Sequence, residues 1–294
     1  MTTKALSDSQ VPLAETLEGN RQRGRDLLNR FHLALRLRPG IIGSVLAKLF
    51  GPNDRRHIIS APNGLRVFAD PFTYLGRDLF ETRSFEPETE EILRAHLPVG
   101  GVFLDVGANE GYFSALAGTI VGPTGYVVSV EPQSRLQDII QLNLMLNEVR
   151  QYRIYRNALG GEDGAEGRMN LWPGINTGAS SLVRRYRFYR KTESIRFVSL
   201  ERILSECSLD HIDLVKIDVE GFEGEVVRHM VPFLRTGRIH SLFIDYHKQI
   251  LDKAGVDPRE IHNKIMECGY APSGGRAARL ESYQLYQRSE LNSV

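Results

Sequence analysis

The sequence predicts an α/β protein, a doubly wound and mostly parallel sheet behind an N-terminal helical and hairpin extension. Three observations predict it. From Val102 onward, short apolar runs alternate with amphipathic helical stretches, the pattern of successive strand–helix–strand units. The run Val102–Gly111 (VFLDVGANEG) passes from an apolar strand through an acid to glycines. The run Leu214–Val219 repeats that grammar, with Asp218 at its end and Glu220 and Gly221 just beyond.

Composition narrows the classes. The 294 residues suffice for one sizeable α/β domain with an appendage. Net charge is +1, so no bulk electrostatic argument favours a nucleic-acid partner. Cys207 and Cys268 lie far apart, without metal or redox spacing, as expected of free thiols in the cytoplasm. Residues 1–20 are polar with no apolar leader core, and no run is long enough to span a bilayer.

The chain divides by pattern into a basic helical extension (1–57), a hairpin and helix leading into the core (58–98) and the main domain (99–294). Within 21–38, Leu27, Leu28, Phe31, Leu33 and Leu35 are spaced for a helix among six arginines. Such a helix suits an anionic partner or a membrane surface; it equally suits a helix packed on the core domain, or a homodimer arm, with solvated arginines. Residues 58–70 read as a hairpin turning at Asn63-Gly64. Glu86-Pro87-Glu88 opens a helix reaching Leu97, its first turn acidic as the helix dipole prefers. Strands are expected near 102–105, 126–130, 152–158, 213–219 and 240–246. Helices are expected near 111–120, 134–148, 199–206, 222–230 and 257–268, with late strand structure over 279–287.

The strand ends carry the chemistry. Asp105 is followed by Gly107, Asn109 and Gly111 at two-residue steps, so backbone can approach a ligand and a helix N-terminus can point amides at it. Glu131 ends the next strand, where a carboxylate can accept from both hydroxyls of a ribose diol. The spacing differs from the G-x-G-x-x-G of nicotinamide folds, and an acid before the first glycine suits a cationic ligand better than a pyrophosphate. S-adenosylmethionine, with its diol, ammonium and sulfonium, is the expected cofactor. Asp105, Glu131 and Asp218 are expected on one rim, where three carboxylates need a cation, a metal ion or a proton to coexist.

Ile244-Asp245-Tyr246-His247 ends a further strand, and a histidine of near-neutral pKa there could take a proton from an acceptor hydroxyl. Asp218 and His247 are therefore the candidate catalytic residues. Glu223 reads as a favourable helix start; Glu220 suits either that role or the rim. The other histidines, His240 and His262 among them, read as structural. Leu182–Lys191 (LVRRYRFYRK) interleaves basic and aromatic residues, which fits contact with an anionic acceptor or an outward-charged edge strand.

With these residues in view, the chain resembles the FkbM family of S-adenosylmethionine-dependent methyltransferases. The resemblance rests on FETRSFEPET (80–89), FLDVGANEGYFS (103–114), Val130-Glu131-Pro132, Asn157–Gly160, Ser199–Leu204, DLVKIDVEGFE (213–223) and the IDYH end. Together these span roughly residues 60–250, and DVGAN-x-G followed by K-x-D-x-EG is specific in combination. The resemblance implies a Rossmann-like class I methyltransferase fold. It also implies that Asp105, Gly107, Asn109, Gly111 and Glu131 bind the cofactor, that Asn157 and Ala158 lie by the adenine, and that Asp218 lies near the transferred methyl. It further implies methylation of a hydroxyl, often on a sugar or secondary metabolite. Position 245 departs from the family, which more often has Glu before the histidine.

Three alternatives stand beside this reading. A divalent ion on Asp218, Glu220 and Asp245 could assist the transfer. The chain could instead be an NAD-dependent oxidoreductase, or a module that binds the cofactor without catalysis. The expected partner is a small-molecule or glycan acceptor, anionic if the basic segment meets it.

Overall fold

The computed structural model describes residues 56–172, 177–183, 191–273 and 283–289. The basic stretch 21–38 and residues 184–190 lie outside them. The chain forms two compact units, residues 1–85 with 173–177, and residues 86–172 with 178–294.

In the first unit, β1 (His57–Ser60) and β2 (Arg66–Ala69) pair antiparallel. Gly64 takes the turn at φ +90°, and Asn63 Oδ1 accepts from the Leu65 amide. Helix α1 (Tyr74–Glu81) follows, capped by Thr73 Oγ1 on the Gly76 amide. The sequence reading had no helix here.

In the second unit, α2 (Pro87–His96) precedes β3 (Val102–Val106), α3 (Tyr112–Val121) and β4 (Tyr126–Val130). Then come α4 (Gln137–Leu146), β5 (Tyr152–Tyr155), β6 (Ala158–Leu159), β7 (Glu166–Asn170) and β8 (Thr192–Val198). Helix α5 (Leu200–Cys207), β9 (Ile212–Ile217), α6 (Glu223–Thr236) and β10 (Ile239–Asp245) continue the alternation. Helices α7 (Lys248–Ala254) and α8 (Pro258–Glu267) and strands β11 (Tyr270–Pro272) and β12 (Tyr283–Arg288) end it.

Seven strands form one sheet in the order β11-β12-β10-β9-β3-β4-β5, with β12 alone antiparallel to its neighbours. Strand order reverses between β3 and β9, which is where open α/β sheets open a crevice outside the strand C-termini. This is the Rossmann-like class I architecture. Its main core lies where Leu104, Val106, Val128, Val215, Ile217 and Leu242 meet the helices of one face, and Val226, Met230 and Ile265 lie in the same cluster. Burial of such a continuous aliphatic face is the main stabilising contribution.

The expected strand 152–158 is two strands. β5 ends at Tyr155, and Ala158-Leu159 joins a separate sheet of order β6-β8-β7, paired parallel to Phe197-Val198. The alternation of YRIYRNAL runs unbroken across the break, so periodicity alone reads one element. The first helix after β4 begins with a 3-10 turn at Ser134–Leu136, and α6 runs on to Thr236, past the expected end at 230.

Candidate active site

The crevice is built first by a backbone turn. β3 runs one residue past Asp105, to Val106, and then Gly107, Asn109 and Gly111 all take positive φ (+86°, +49° and +79°). A Cβ on Gly107 would stand 1.9 Å from the Asp218 carbonyl oxygen, so glycine is required where β3 meets the end of β9. A Cβ on Gly111 would meet Ile140 at 3.0 Å, which fixes α3 against α4. The turn's amides are aimed by Glu131. Its Oε2 accepts from the Asn109 amide at 3.0 Å and its Oε1 from the Gln133 amide at 2.9 Å. Burial pushes the Glu131 carboxyl up to about 7, against the pull of those amides.

Asp105 does not stand on the rim with the other acids. It is 1% exposed, inside β3, and Ser114 Oγ donates to its Oδ2 at 2.6 Å while Ser129 Oγ donates to Ser114. Its Oδ1 has no hydrogen-bond partner among the described residues. Burial raises its pKa, and the Lys216 charge opposes that rise. The pleat turns its side chain onto the buried face of the sheet that Ser129 and Lys216, its partners in register, share.

The rim proper forms where β9 and β10 end. Lys216, in register with Asp105 and buried, places Nζ 3.0 Å from Asp218 Oδ2 and 5.1 Å from the Phe113 ring centroid. His247 stands between acids. Its Nδ1 is 2.8 Å from Glu223 Oε1, and its Nε2 is 3.8 Å from Asp218 Oδ1 and 3.6 Å from Glu220 Oε1. Glu223 is more than a helix start: it is fully buried, and Oε1 also accepts from the Gly221 amide, while Oε2 has no hydrogen-bond partner among the described residues. Glu220 and Gly221 take the turn at φ +49° and +96°, and Ser181 Oγ ties it down by donating to the Glu220 carbonyl at 2.6 Å.

Charge at this rim is crowded. Burial alone would lower Lys216, but Asp218, Asp105 and Glu86 hold its ammonium well above the usual range. Burial works against ionised Asp218, yet Lys216 and His247 keep its carboxyl below the ordinary value. Asp245 is pushed up to about 6 by burial and by Asp218. Glu86 is pushed up to about 7 by burial and by Asp218 and Asp245, against Lys216. Burial would lower His247, but the Glu223 hydrogen bond and the charges of Asp218 and Glu220 raise it to about 10. The expected near-neutral histidine is therefore an imidazolium at pH 7, a donor rather than a free base.

Asp218 and His247 thus meet, and Glu131 meets the turn. Asn157 and Ala158 follow β5, whose Tyr155 carbonyl accepts from the Glu131 amide at 3.0 Å; Asn157 Nδ2 donates to the Arg196 carbonyl. Sequence reasoning missed Glu86 and Lys216. Glu86 was legible only as a helix-opening acid. Lys216 carried a signal, a lone cation inside the apolar run DLVKID. Asp218, Asp245 and His247 each offer one donor atom within 4.8 Å of the others, so the three-donor set contains His247 where Glu220 was expected.

The donors fit S-adenosylmethionine. The Glu131 oxygens, which accept from the Asn109 and Gln133 amides, are acceptors of the kind a diol needs, and the acid rim would compensate a sulfonium. No helix among the described residues is long and apolar enough to cross a membrane.

A comparison with curated proteins returns no match. Among solved structures, the chain is similar to a putative O-methyltransferase from Klebsiella pneumoniae at 12% identity, covering 84% of this chain and 96% of that one, with TM-score 0.42. It is similar to a precorrin-6y C5,15-methyltransferase from Geobacter metallireducens GS-15 at 14% identity, covering 69% and 87%, with TM-score 0.38. It is also similar to a putative rRNA methylase from Clostridium thermocellum at 8% identity, covering 68% and 94%, with TM-score 0.39. Residues 105–272, more than half of the 294, match the methyltransferase FkbM domain. That match takes in the glycine turn, Glu131, the small sheet and the rim residues from Lys216 to His247, and the chain belongs to the FkbM family of S-adenosylmethionine-dependent methyltransferases.

Proposed function

We propose that the chain methylates a hydroxyl oxygen of a sugar or secondary metabolite. The observation that carries this reading is the rim itself: Asp218, held ionised by Lys216, stands with the His247 imidazolium at the mouth of the glycine turn. S-adenosylmethionine, when bound, supplies the electrophilic methyl. Glu131 would hold its diol, and the turn from Gly107 to Gly111, with Asn157 and Ala158 beside it, would line its adenosine. Asp218 accepts the hydroxyl proton of the acceptor, and His247, fixed by Glu223, donates a hydrogen bond that orients the dyad. Bringing the two reactants into line supplies much of the acceleration. The two free thiols support a cytoplasmic setting.

Calorimetric titration with S-adenosylmethionine, its demethylated product and NAD, run in parallel, tests the cofactor. Glu131→Ala should weaken the first two by about 10- to 100-fold, the worth of hydrogen bonds to a charged group. NAD binding in their place would overturn the reading. With an acceptor in hand, Asp218→Asn should lower kcat by about 100-fold, as expected for loss of a general base. Unchanged turnover removes that role, and loss of activity in excess chelator that magnesium chloride restores and His211→Ala/His240→Ala does not reproduce would move the rim to metal-assisted transfer.

A further inference from the structure

The opposite end of the large sheet, at the strand N-termini, holds a second cluster of ligating side chains that methyl transfer does not use. β9 and β10 are parallel with Ile212 beside Ile239, so Asp213 and His240 are cross-strand neighbours. His211 immediately precedes β9. His240 Nδ1 lies 3.0 Å from Asp213 Oδ1, and His211 Nε2 lies 3.5 Å from Asp213 Oδ2. The two imidazole rings stack with centroids 4.7 Å apart. One donor atom from each of the three residues lies within 4.8 Å of the others.

The chemistry of this trio is unlike that of the acid rim. Two imidazole nitrogens and one carboxylate oxygen form a borderline-soft set, suited to zinc and poorly suited to magnesium or calcium. A tetrahedral zinc with bonds of about 2.0–2.1 Å keeps its donors about 3.3 Å apart. The 3.0 Å from His240 Nδ1 to Asp213 Oδ1 lies close to that value, and His211 Nε2, 3.5 Å from the other oxygen, Oδ2, has to swing toward Oδ1 to complete a set whose donor atoms already lie within 4.8 Å of one another. The carboxylate is already oriented, because Asp213 Oδ2 accepts from the Val102 amide at 2.7 Å, the kind of outer contact that fixes metal ligands. The imidazoles are about half exposed, so an ion can reach them, while the Asp213 side chain is only 12% exposed. Helices α5 and α6 end shortly before His211 and His240, and their C-terminal carbonyl ends favour a cation. The nearby Arg238 is engaged, donating to the carbonyls of Asp210 and Leu209.

We propose that His211, Asp213 and His240 form a zinc site that clamps β9 to β10 and, through Val102, to β3. Three protein donors leave the fourth position to water. The site lies at the strand N-termini, the end of the sheet away from Asp218 and His247, so its role is to hold the sheet rather than to act on the substrate.

The test uses the full chain, stripped with chelator and titrated with zinc chloride alone, by calorimetry and thermal melting. Wild type and His247→Ala should each bind one equivalent, with a rise in Tm. The double variant His211→Ala/His240→Ala should lose both the binding and the rise. Cobalt chloride gives a reading that needs no variant, a tetrahedral visible absorption band in the wild type. No uptake by wild type, undiminished uptake by the double variant, loss of uptake in His247→Ala, or an octahedral cobalt spectrum would each overturn the proposal.

Discussion

On one face of the large sheet, β3, β4, β9 and β10 present Leu104, Val106, Val128, Val130, Val215, Ile217, Leu242 and Ile244, all aliphatic. On the other face the same strands present Asp105, Ser129, Lys216 and Ser241 between Phe103, Val127, Leu214 and Phe243, and these polar residues are just as buried. The aliphatic face needs only helices to cover it. Each buried polar group on the second face needs a partner, and the partners lead outward to the rim: Ser129 to Ser114 to Asp105, and Lys216 to Asp218. The site's charge is thus set from beneath, by one face of the sheet, while the other face anchors the strands. Substitutions on the two faces should therefore fail differently.

The largest expected effect comes from Lys216→Met. Removing one partner of a buried ion pair strands the others, here Asp218 and Asp105, at a cost of about 3–5 kcal/mol. Leu104→Ala on the aliphatic face should cost about 2–5 kcal/mol by cavity formation. The two differ with pH. The stranded carboxylates of Lys216→Met can protonate, so its deficit in urea denaturation should shrink from pH 7 to pH 4.5, while the Leu104→Ala deficit stays level. Parallel behaviour of the two variants would mean that Lys216 acts by packing alone.

The same contrast explains what the sequence could convey. The aliphatic strands and the turn from Gly107 to Gly111 were legible because period and glycine spacing are local. That Asp218 and His247 come together was legible because strand ends of a parallel sheet share one rim. Asp105 misled because an acid next to a glycine turn reads as a rim group, while the pleat places it on the buried polar face beside Ser129 and Lys216. Glu86 was hidden because helix-dipole chemistry already explains an acid at that position, and only the fold turns it toward Lys216 and Asp245. The β6-β8-β7 sheet was hidden because strand partnership is a long-range property that alternation does not encode.

A middle-sized effect is expected at the junction of turn and rim. Gly107→Ala adds a left-handed backbone penalty to a collision with the Asp218 carbonyl, together about 2–4 kcal/mol. Gly255 also takes a positive φ, +75°, but a Cβ there would meet none of the described residues within 4 Å. Gly255→Ala should therefore cost only the backbone penalty, about 1–2 kcal/mol. Thermal melting of the two variants separates packing from conformation, and equal losses would remove the argument that β9 presses on the turn.

The smallest effect tests whether the rim's crowding is real. Glu86 ionises at about 7 in the folded chain against an ordinary value of 4.5, raised by burial first and then by Asp218 and Asp245. A carboxyl with a raised folded pKa destabilises the folded state as pH climbs from the unfolded to the folded value, because the unfolded chain ionises first. The wild type should therefore lose stability between pH 4.5 and 7, and the penalty should stay constant above that. Glu86→Gln cannot ionise and escapes it. Relative to wild type, the variant should gain about 1–2 kcal/mol between pH 4.5 and pH 8, after allowance for solvent screening. Denaturant midpoints at the two pH values measure it. A gap that stays flat would show that Glu86 ionises freely, and a gap that closes with rising pH would make Glu86 a net partner of Lys216 rather than a competitor of Asp218. A sulfonium or other cation at the rim should erase the difference, since it stabilises the same carboxylates that otherwise repel.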